Sequence, residues 1–178
     1  DPTLVHKAIH VIRNPFHNLI SRFNCEHKIK EDSFADKYPK DAHGFHKFCQ
    51  DLDADFDHQY SKELFPMNQW RHDVKHTRCH DDIISYVMWH NHAFETCREL
   101  HIPTMVVHYE DYEDDFNMTF ANMLDFLHLE EKGSAPGFAA RHDYQDYFTN
   151  EDLQSMKDLV KHLASNHTWK AIAHYFDD

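Results

Sequence analysis

Glycine is nearly missing from this chain. Gly44, Gly133 and Gly137 are the only three in 178 residues, and none sits in a strand-to-helix loop followed by Lys and Ser or Thr, so no phosphate-cradling loop is readable. Cations are scarce as well: 18 Lys plus Arg face 31 Asp plus Glu, a formal charge of -13. A polyphosphate surface would be repelled almost everywhere, which excludes nonspecific nucleic-acid binding. No apolar run approaches the ~20 residues that span a bilayer, and Asp1-Pro2-Thr3-Leu4 has no signal-peptide character. The expectation is a soluble chain without membrane contact. The four cysteines, Cys25, Cys49, Cys79 and Cys97, form neither a CxxC nor a zinc-type spacing. They permit three disulfide pairings, with free buried thiols as the alternative.

Histidine, by contrast, is plentiful. Its 19 copies mean that mild acidification removes much of the negative charge. His72, His76 and His80 are spaced by four and would stack on one helix face, a pattern that suits zinc, copper or nickel. No Cys or carboxylate pattern supplies further ligands, so no metal is expected. The stretch from His27 to Asp41 is charged, punctuated by Tyr38-Pro39 and without an apolar period, which predicts a surface loop. From Gly44-Phe45 onward, Phe45, Phe48, Cys49, Leu52 and Phe56 recur at helical spacing and turn Asp51, Asp53, Asp55 and Asp57 toward solvent. The alternating acids lack the glycine and terminal Glu of a calcium loop. Asn117-Met118-Thr119 and Asn166-His167-Thr168 fit the N-glycosylation sequon. They lean toward a secretory, Golgi-type lumen, with the cytoplasm as the alternative.

The most informative stretch is Ala8 to Phe23. An apolar run, Ile9 to Ile12, stops at Arg13; Asn14 is then a helix N-cap and Pro15 suits the first helical position. A strand feeding straight into a helix aims the helix's first free backbone N–H groups, and the positive end of its dipole, beyond the strand tip, where an anion is favoured. Arg13 adds a permanent fork of donors there. Phe16, Leu19, Ile20 and Phe23 form the apolar stripe; Asn14, His17, Asn18 and Ser21 form the opposite one. Arg13 and Ser21 are therefore able to serve one ligand.

Downstream, Asp81 to His101 is the strongest predicted helix, with His90 and Asn91 inside an otherwise apolar stripe of Ile83, Val87 and Phe94. Polar groups there need partners: either they are satisfied structurally or they look into a ligand cleft. Thr104 to Tyr109 reads as a second buried strand ending in Tyr109-Glu110-Asp111. Two parallel strands joined by helical crossovers bring Arg13 and Tyr109 to one carboxyl edge, where open α/β sheets bind ligands. Phe116, Phe120, Met123, Leu124 and Leu127 predict a helix covering one sheet face. A loop over Glu130 to Ala140 follows, and Thr149 with Asp152 then marks a capping box before a last helix, with Trp169 to Phe176 closing the domain.

Arg-Asn-Pro with Ser eight residues after the Arg resembles the 3′-phosphate-binding motif of sulfotransferases that use 3′-phosphoadenosine 5′-phosphosulfate (PAPS). The resemblance implies that Arg13 and Ser21 hold the cofactor's 3′-phosphate. Tyr109-Glu110-Asp111 is similar to the pattern that follows in that family, which implies that Tyr109 packs near the adenine while the acidic pair is architectural. Trp89-His90-Asn91 looks like an element of a secretory and algal branch, where a preceding Cys and an earlier Cys after Gly-Phe pair; this singles out Cys49 and Cys79 as a disulfide. The resemblance implies a partial P-loop-NTPase-like sulfotransferase fold, α/β and helix-rich with a small parallel sheet. Residues 1–178 would form one such domain lacking its phosphate-loop segment, since only twelve residues precede Arg13. The family's second clamp, an Arg-Lys-Gly before an Asp-aromatic and Phe-Thr, has only Lys132-Gly133 or Arg141 upstream of Asp143-Tyr144 and Tyr147-Phe148-Thr149. The implied reaction moves a sulfuryl group to a hydroxyl or amine of a small-molecule or carbohydrate acceptor. No residue inherits the base role by motif; His90 and His17 are candidates on chemistry alone. An inactive nucleotide-binding or scaffold homologue and a His-rich metal-binding protein are the other two classes.

Overall fold

The computed structural model describes residues 4–30, 32–60, 71–133 and 145–177. Among them the elements run β1 (Ala8–Ile12), α1 (Pro15–Ile29), α2 (Asp32–Lys37), α3 (Ala42–Tyr60), α4 (Arg71–His76), α5 (His80–Glu99), β2 (Thr104–His108), α6 (Asp111–Leu127), α7 (Asn150–Leu163) and α8 (Asn166–Ile172). Short 3-10 turns sit at Gln145–Tyr147 and Ala173–Phe176. The chain is helix-rich around a small two-stranded parallel sheet, compatible with the α/β class. β1 and β2 pair with Ala8 opposite Thr104 and Ile12 opposite His108. The ladder continues one step further, Tyr109 N–H donating to the Ile12 carbonyl at 2.7 Å. That register sets Arg13 and Tyr109 as next residues on neighbouring strands.

α1 starts as its sequence dictates. The Asn14 side chain accepts from the Phe16 and His17 N–H groups, Pro15 occupies the first turn, and Phe16, Leu19, Ile20 and Phe23 are the buried face. Phe23 packs against Phe45 and Phe48 of α3, and Phe16 against Phe148 and Phe176, so α1 joins α3 and the C-terminal segment in one aromatic core. Thr149 and Asp152 form the expected capping box of α7, with Met156, Leu159, Val160 and Leu163 buried beneath it. α6 packs on β2 but covers its sheet face only in part: its apolar stripe is half-buried and Val11 stays 44% exposed. Asp115 leaves the helical conformation, and its carboxylate accepts the Met118 N–H, recapping α6 after the kink.

Three expectations need correction. Residues 27–41 are not a loop throughout: α1 runs to Ile29 and α2 forms over Asp32–Lys37, because Phe34 and Tyr38, four apart, pack their rings on Phe48 and give a short charged helix its apolar face. Gly44 is needed there, since a Cβ would collide with the backbone of Pro39. His76 and His80 do not share a helix either. α4 ends at His76 and α5 begins at His80, with Cys79 between them in the left-handed region at φ 56; the His72 side chain lies outside the described residues. Finally, Asp53 does not face open solvent. It has no counterpart cap in α5's own sequence, and instead its carboxylate reaches from α3 to accept the Cys79 N–H at 2.9 Å and the Asp81 N–H at 3.1 Å. Burial raises this carboxyl to about 6, against the pull of His80 and the two amides.

One turn before Asp53, Cys49 is bonded to Cys79, the pairing that the resemblance implied; Cys25 and Cys97 are free thiols. Disulfide and carboxylate together fasten α3 to the start of α5. The crosslink closes a separation of 30 residues, for which chain entropy gives about 3–4 kcal/mol of stabilisation. Replacing both cysteines by Ala should therefore lower the denaturant midpoint by a stability loss of about that size, and non-reducing peptide mapping should recover Cys49 linked to Cys79. Recovery of both as free thiols from oxidised material would contradict the assignment.

Candidate functional site

The tips of β1 and β2 carry the candidate site. Arg13, half-buried at the end of β1, lays its guanidinium over the Tyr109 ring at 4.5 Å from the centroid, a cation–π contact of ~1 kcal/mol or more when partly desolvated. Burial pulls the Arg13 pKa down, while Tyr109 and Glu110 pull it up; the group stays a cation. Its carbonyl accepts from the Tyr86 hydroxyl of α5 at 2.7 Å. Burial and the Glu110 charge push that phenol's pKa up.

Glu110 is the hub of this cluster. Oε1 accepts the Asn14 N–H at 3.0 Å and lies 3.7 Å from His17 Nδ1; Oε2 accepts the Tyr175 hydroxyl at 2.6 Å. Burial alone would raise the carboxyl, but the neighbouring His17 and the bonds from Tyr175 and the Asn14 amide outweigh it and bring it to about 2. Tyr175 also meets His108 Nδ1 at 2.8 Å. The 3-10 turn carrying Tyr175 is tied down from behind, as Lys157 Nζ of α7 donates to the Phe176 carbonyl at 2.8 Å. A cleft of about 290 Å³ opens here, lined by Phe16, Leu153, Gln154, Lys157 and Tyr175. A roomier cleft of about 600 Å³ near Ile29, Tyr38 and Asp51 lies at the far end of α1, roughly 20 Å from Arg13 by helix rise, and is separate from this site.

The geometry changes the expected anion chemistry in one respect. The leading amides of α1 are not free: Phe16 and His17 donate to Asn14 Oδ1 at 2.9 and 3.2 Å, Pro15 has no N–H, and the Asn14 amide goes to Glu110. An anion at the strand tip is left with side chains, Arg13 above all, rather than a cradle of backbone donors. Ser21 is half-buried two turns into α1, roughly 9 Å along the axis from Pro15, so a shared ligand would have to bridge from the Arg13 end. Tyr109 lies where the register put it. His17 belongs to the Glu110 cluster.

His90 is placed differently. Its Nδ1 meets His10 Nε2 at 2.7 Å in the interior, both residues being 4% exposed. Burial, reinforced by His10, lowers His90 to about 4, and burial lowers His10 too. The pair is neutral at pH 7. Because His10 Nδ1 is buried with no partner, the shared proton belongs on His10 Nε2; the other tautomer would strand a buried N–H. The His90 lone pair is thus occupied at Nδ1, which makes this ring a poor general base. Asn91 is likewise structural, donating to the Leu163 carbonyl and accepting the Ser165 N–H at the α7–α8 corner.

Tyr147 and Phe148 pack against Phe45, and Lys132 is exposed; Arg141 and Asp143-Tyr144 lie outside the described residues. Among the described residues no group of three or more His, Cys, Asp or Glu could hold a metal, and no helix is long and apolar enough to cross a membrane. Sequence reasoning missed Tyr86, Tyr175 and Lys157 as site builders. Tyr86 had a signal, since a Tyr inside an apolar helical stripe needs a hydroxyl partner. Comparison with family models, curated proteins and solved structures finds no match to this chain.

The neutral His pair has a measurable consequence. A histidine whose folded pKa is depressed contributes stability that is present above its unfolded value of 6.5 and is lost as pH falls toward about 4. Asp53, raised to about 6, works the other way in the same window, so the comparison must be between variants. The double variant His10→Phe, His90→Leu should gain on the wild type by about 3 kcal/mol between pH 6.5 and 4. A gap independent of pH in urea titrations would show that the imidazoles are not held neutral.

Proposed function

We propose that the chain is the C-terminal part of a PAPS-dependent sulfotransferase, residues 1–178 forming one sulfotransferase-like domain of P-loop-NTPase-like fold. The observation that carries this reading is the parallel register of β1 and β2, which stacks Arg13 on Tyr109 at one strand edge. The motif that suggested 3′-phosphate binding and the aromatic that suggested an adenine contact are thereby adjacent. The Cys49–Cys79 bond supports the secretory branch and a lumenal, Golgi-type location. In this reading Arg13 and Ser21 hold the 3′-phosphate and Tyr109 lines the base pocket.

The reaction would be in-line transfer. An acceptor oxygen or nitrogen, on a small molecule or a glycan, forms a bond to sulfur as the sulfur–oxygen bond to the 5′-phosphate breaks, its electron pair leaving with 3′-phosphoadenosine 5′-phosphate and the acceptor proton passing to a base. Glu110 is too acidic for that role at about 2; it acts by holding the Asn14 amide and Tyr175 in place. The internal use of α1's amides favours a second reading, an inactive nucleotide-binding or scaffold homologue. Binding without turnover in the full gene product would select it.

The test is calorimetry on the full gene product with 3′,5′-adenosine bisphosphate and 5′-AMP. Arg13→Ala should cost roughly 1.5–3 kcal/mol and Ser21→Ala about 1 kcal/mol, both confined to the bisphosphate. Equal weakening of both ligands by Arg13→Ala would remove the main support for the cofactor assignment.

A further inference from the structure

We infer that Asn117 and Asn166 are acceptor sites for N-linked oligosaccharide, loaded before α6 and α8 dock. The two sequons lie in different helices, α6 and α8, yet share one arrangement. Each asparagine is exposed and so is each middle residue, Met118 and His167, while each threonine is buried, Thr119 at 9% and Thr168 at 0% exposure. Sugar attached at either Nδ2 therefore projects into solvent without displacing a packed group. Met118, 58% exposed on α6, would gain cover from it. Asn166 opens α8 beside a corner that Asn91 pins from both sides, so a glycan there would leave a rigid point.

The threonines set the order of events. The sequon is read through its hydroxyl as well as its amide, and both hydroxyls are committed in the folded chain: Thr119 Oγ1 donates to the Asp111 carbonyl at 2.9 Å across the α6 kink, and Thr168 Oγ1 accepts from Ser165 Oγ at 3.1 Å. A transferring enzyme cannot reach them once the helices are packed. The step itself joins asparagine Nδ2 to the anomeric carbon of a lipid-linked oligosaccharide pyrophosphate. The carbon–oxygen bond to pyrophosphate breaks, its electrons leave with the lipid pyrophosphate, and the amide gives up one proton. Transfer of this kind belongs to the same oxidising compartment as the Cys49–Cys79 bond. This inference is independent of the nucleotide site and fails or stands without it.

The experiment directs the full chain into the secretory pathway of cultured animal cells. Two glycosidase-sensitive gel shifts are expected; Asn117→Gln and Asn166→Gln should each remove one, and the double variant both. Release in heavy-oxygen water should leave labelled Asp at positions 117 and 166. A secreted chain with the disulfide formed and either asparagine unmodified overturns the assignment of that site. The order is tested with purified transferase and lipid-linked donor: reduced, unfolded chain should be modified and folded chain refused. Equal modification of both would overturn it.

Discussion

The Glu110 carboxylate is the interaction on which the strand-tip architecture depends. It stands at the end of β2, yet its two oxygens serve other elements: the Asn14 amide, where β1 becomes α1, and the Tyr175 hydroxyl, where the C-terminal turn comes back over the sheet. Bonds to a charged acceptor contribute roughly 1.5–3 kcal/mol each, and here they join residues 96 and 65 positions apart. The Arg13–Tyr109 stack is a consequence, because the backbone on both sides of it is fixed by the same acid.

α5 is the second organiser. Its first turn is fastened to α3 by the Cys49–Cys79 bond and the Asp53 cap, and Arg22 of α1 pairs with its Asp82. Midway, Tyr86 holds the Arg13 carbonyl and His90 holds His10 of β1. The next residue, Asn91, sets the α7–α8 corner. A single helix thus meets the sheet, the disulfide and the C-terminal helices. The left-handed Cys79 at its start, a conformation costing about 1–2 kcal/mol for a residue with a Cβ, is tolerated because it is held from two directions.

What the sequence revealed and what it hid divide by range. The α1 stripe, the Asn14 cap, the Thr149–Asp152 box and the two strands depend on residues within a turn or two of one another, and periodicity finds such features. α2 was hidden because its apolar face is only Phe34 and Tyr38, and these make sense only against Phe48. The Asp53 cap was hidden because the helix it serves begins 27 residues later, and alternation with other acids disguised it as a solvated face. The His10–His90 pair was half legible: one histidine interrupts an apolar strand and another an apolar helical stripe, and two buried imidazoles satisfy each other. For the candidate site, the position of Arg13 beside Tyr109 followed from strand and crossover rules. The loss of the Asn14 amide to Glu110 did not, since that acceptor lies 96 positions away in the chain.

That last feature bears on kinetics. With the amides consumed internally and Arg13 set close to Glu110, the strand tip is a local zwitterion inside a chain of formal charge -13. A polyanion diffusing toward it meets no attractive long-range potential and must cross a repulsive one, so electrostatic steering, which accelerates capture in many phosphate-binding proteins, is absent from this route. Added salt, by screening that repulsion over a Debye length of ~10 Å or less, speeds encounter where at a basic pocket it would slow it.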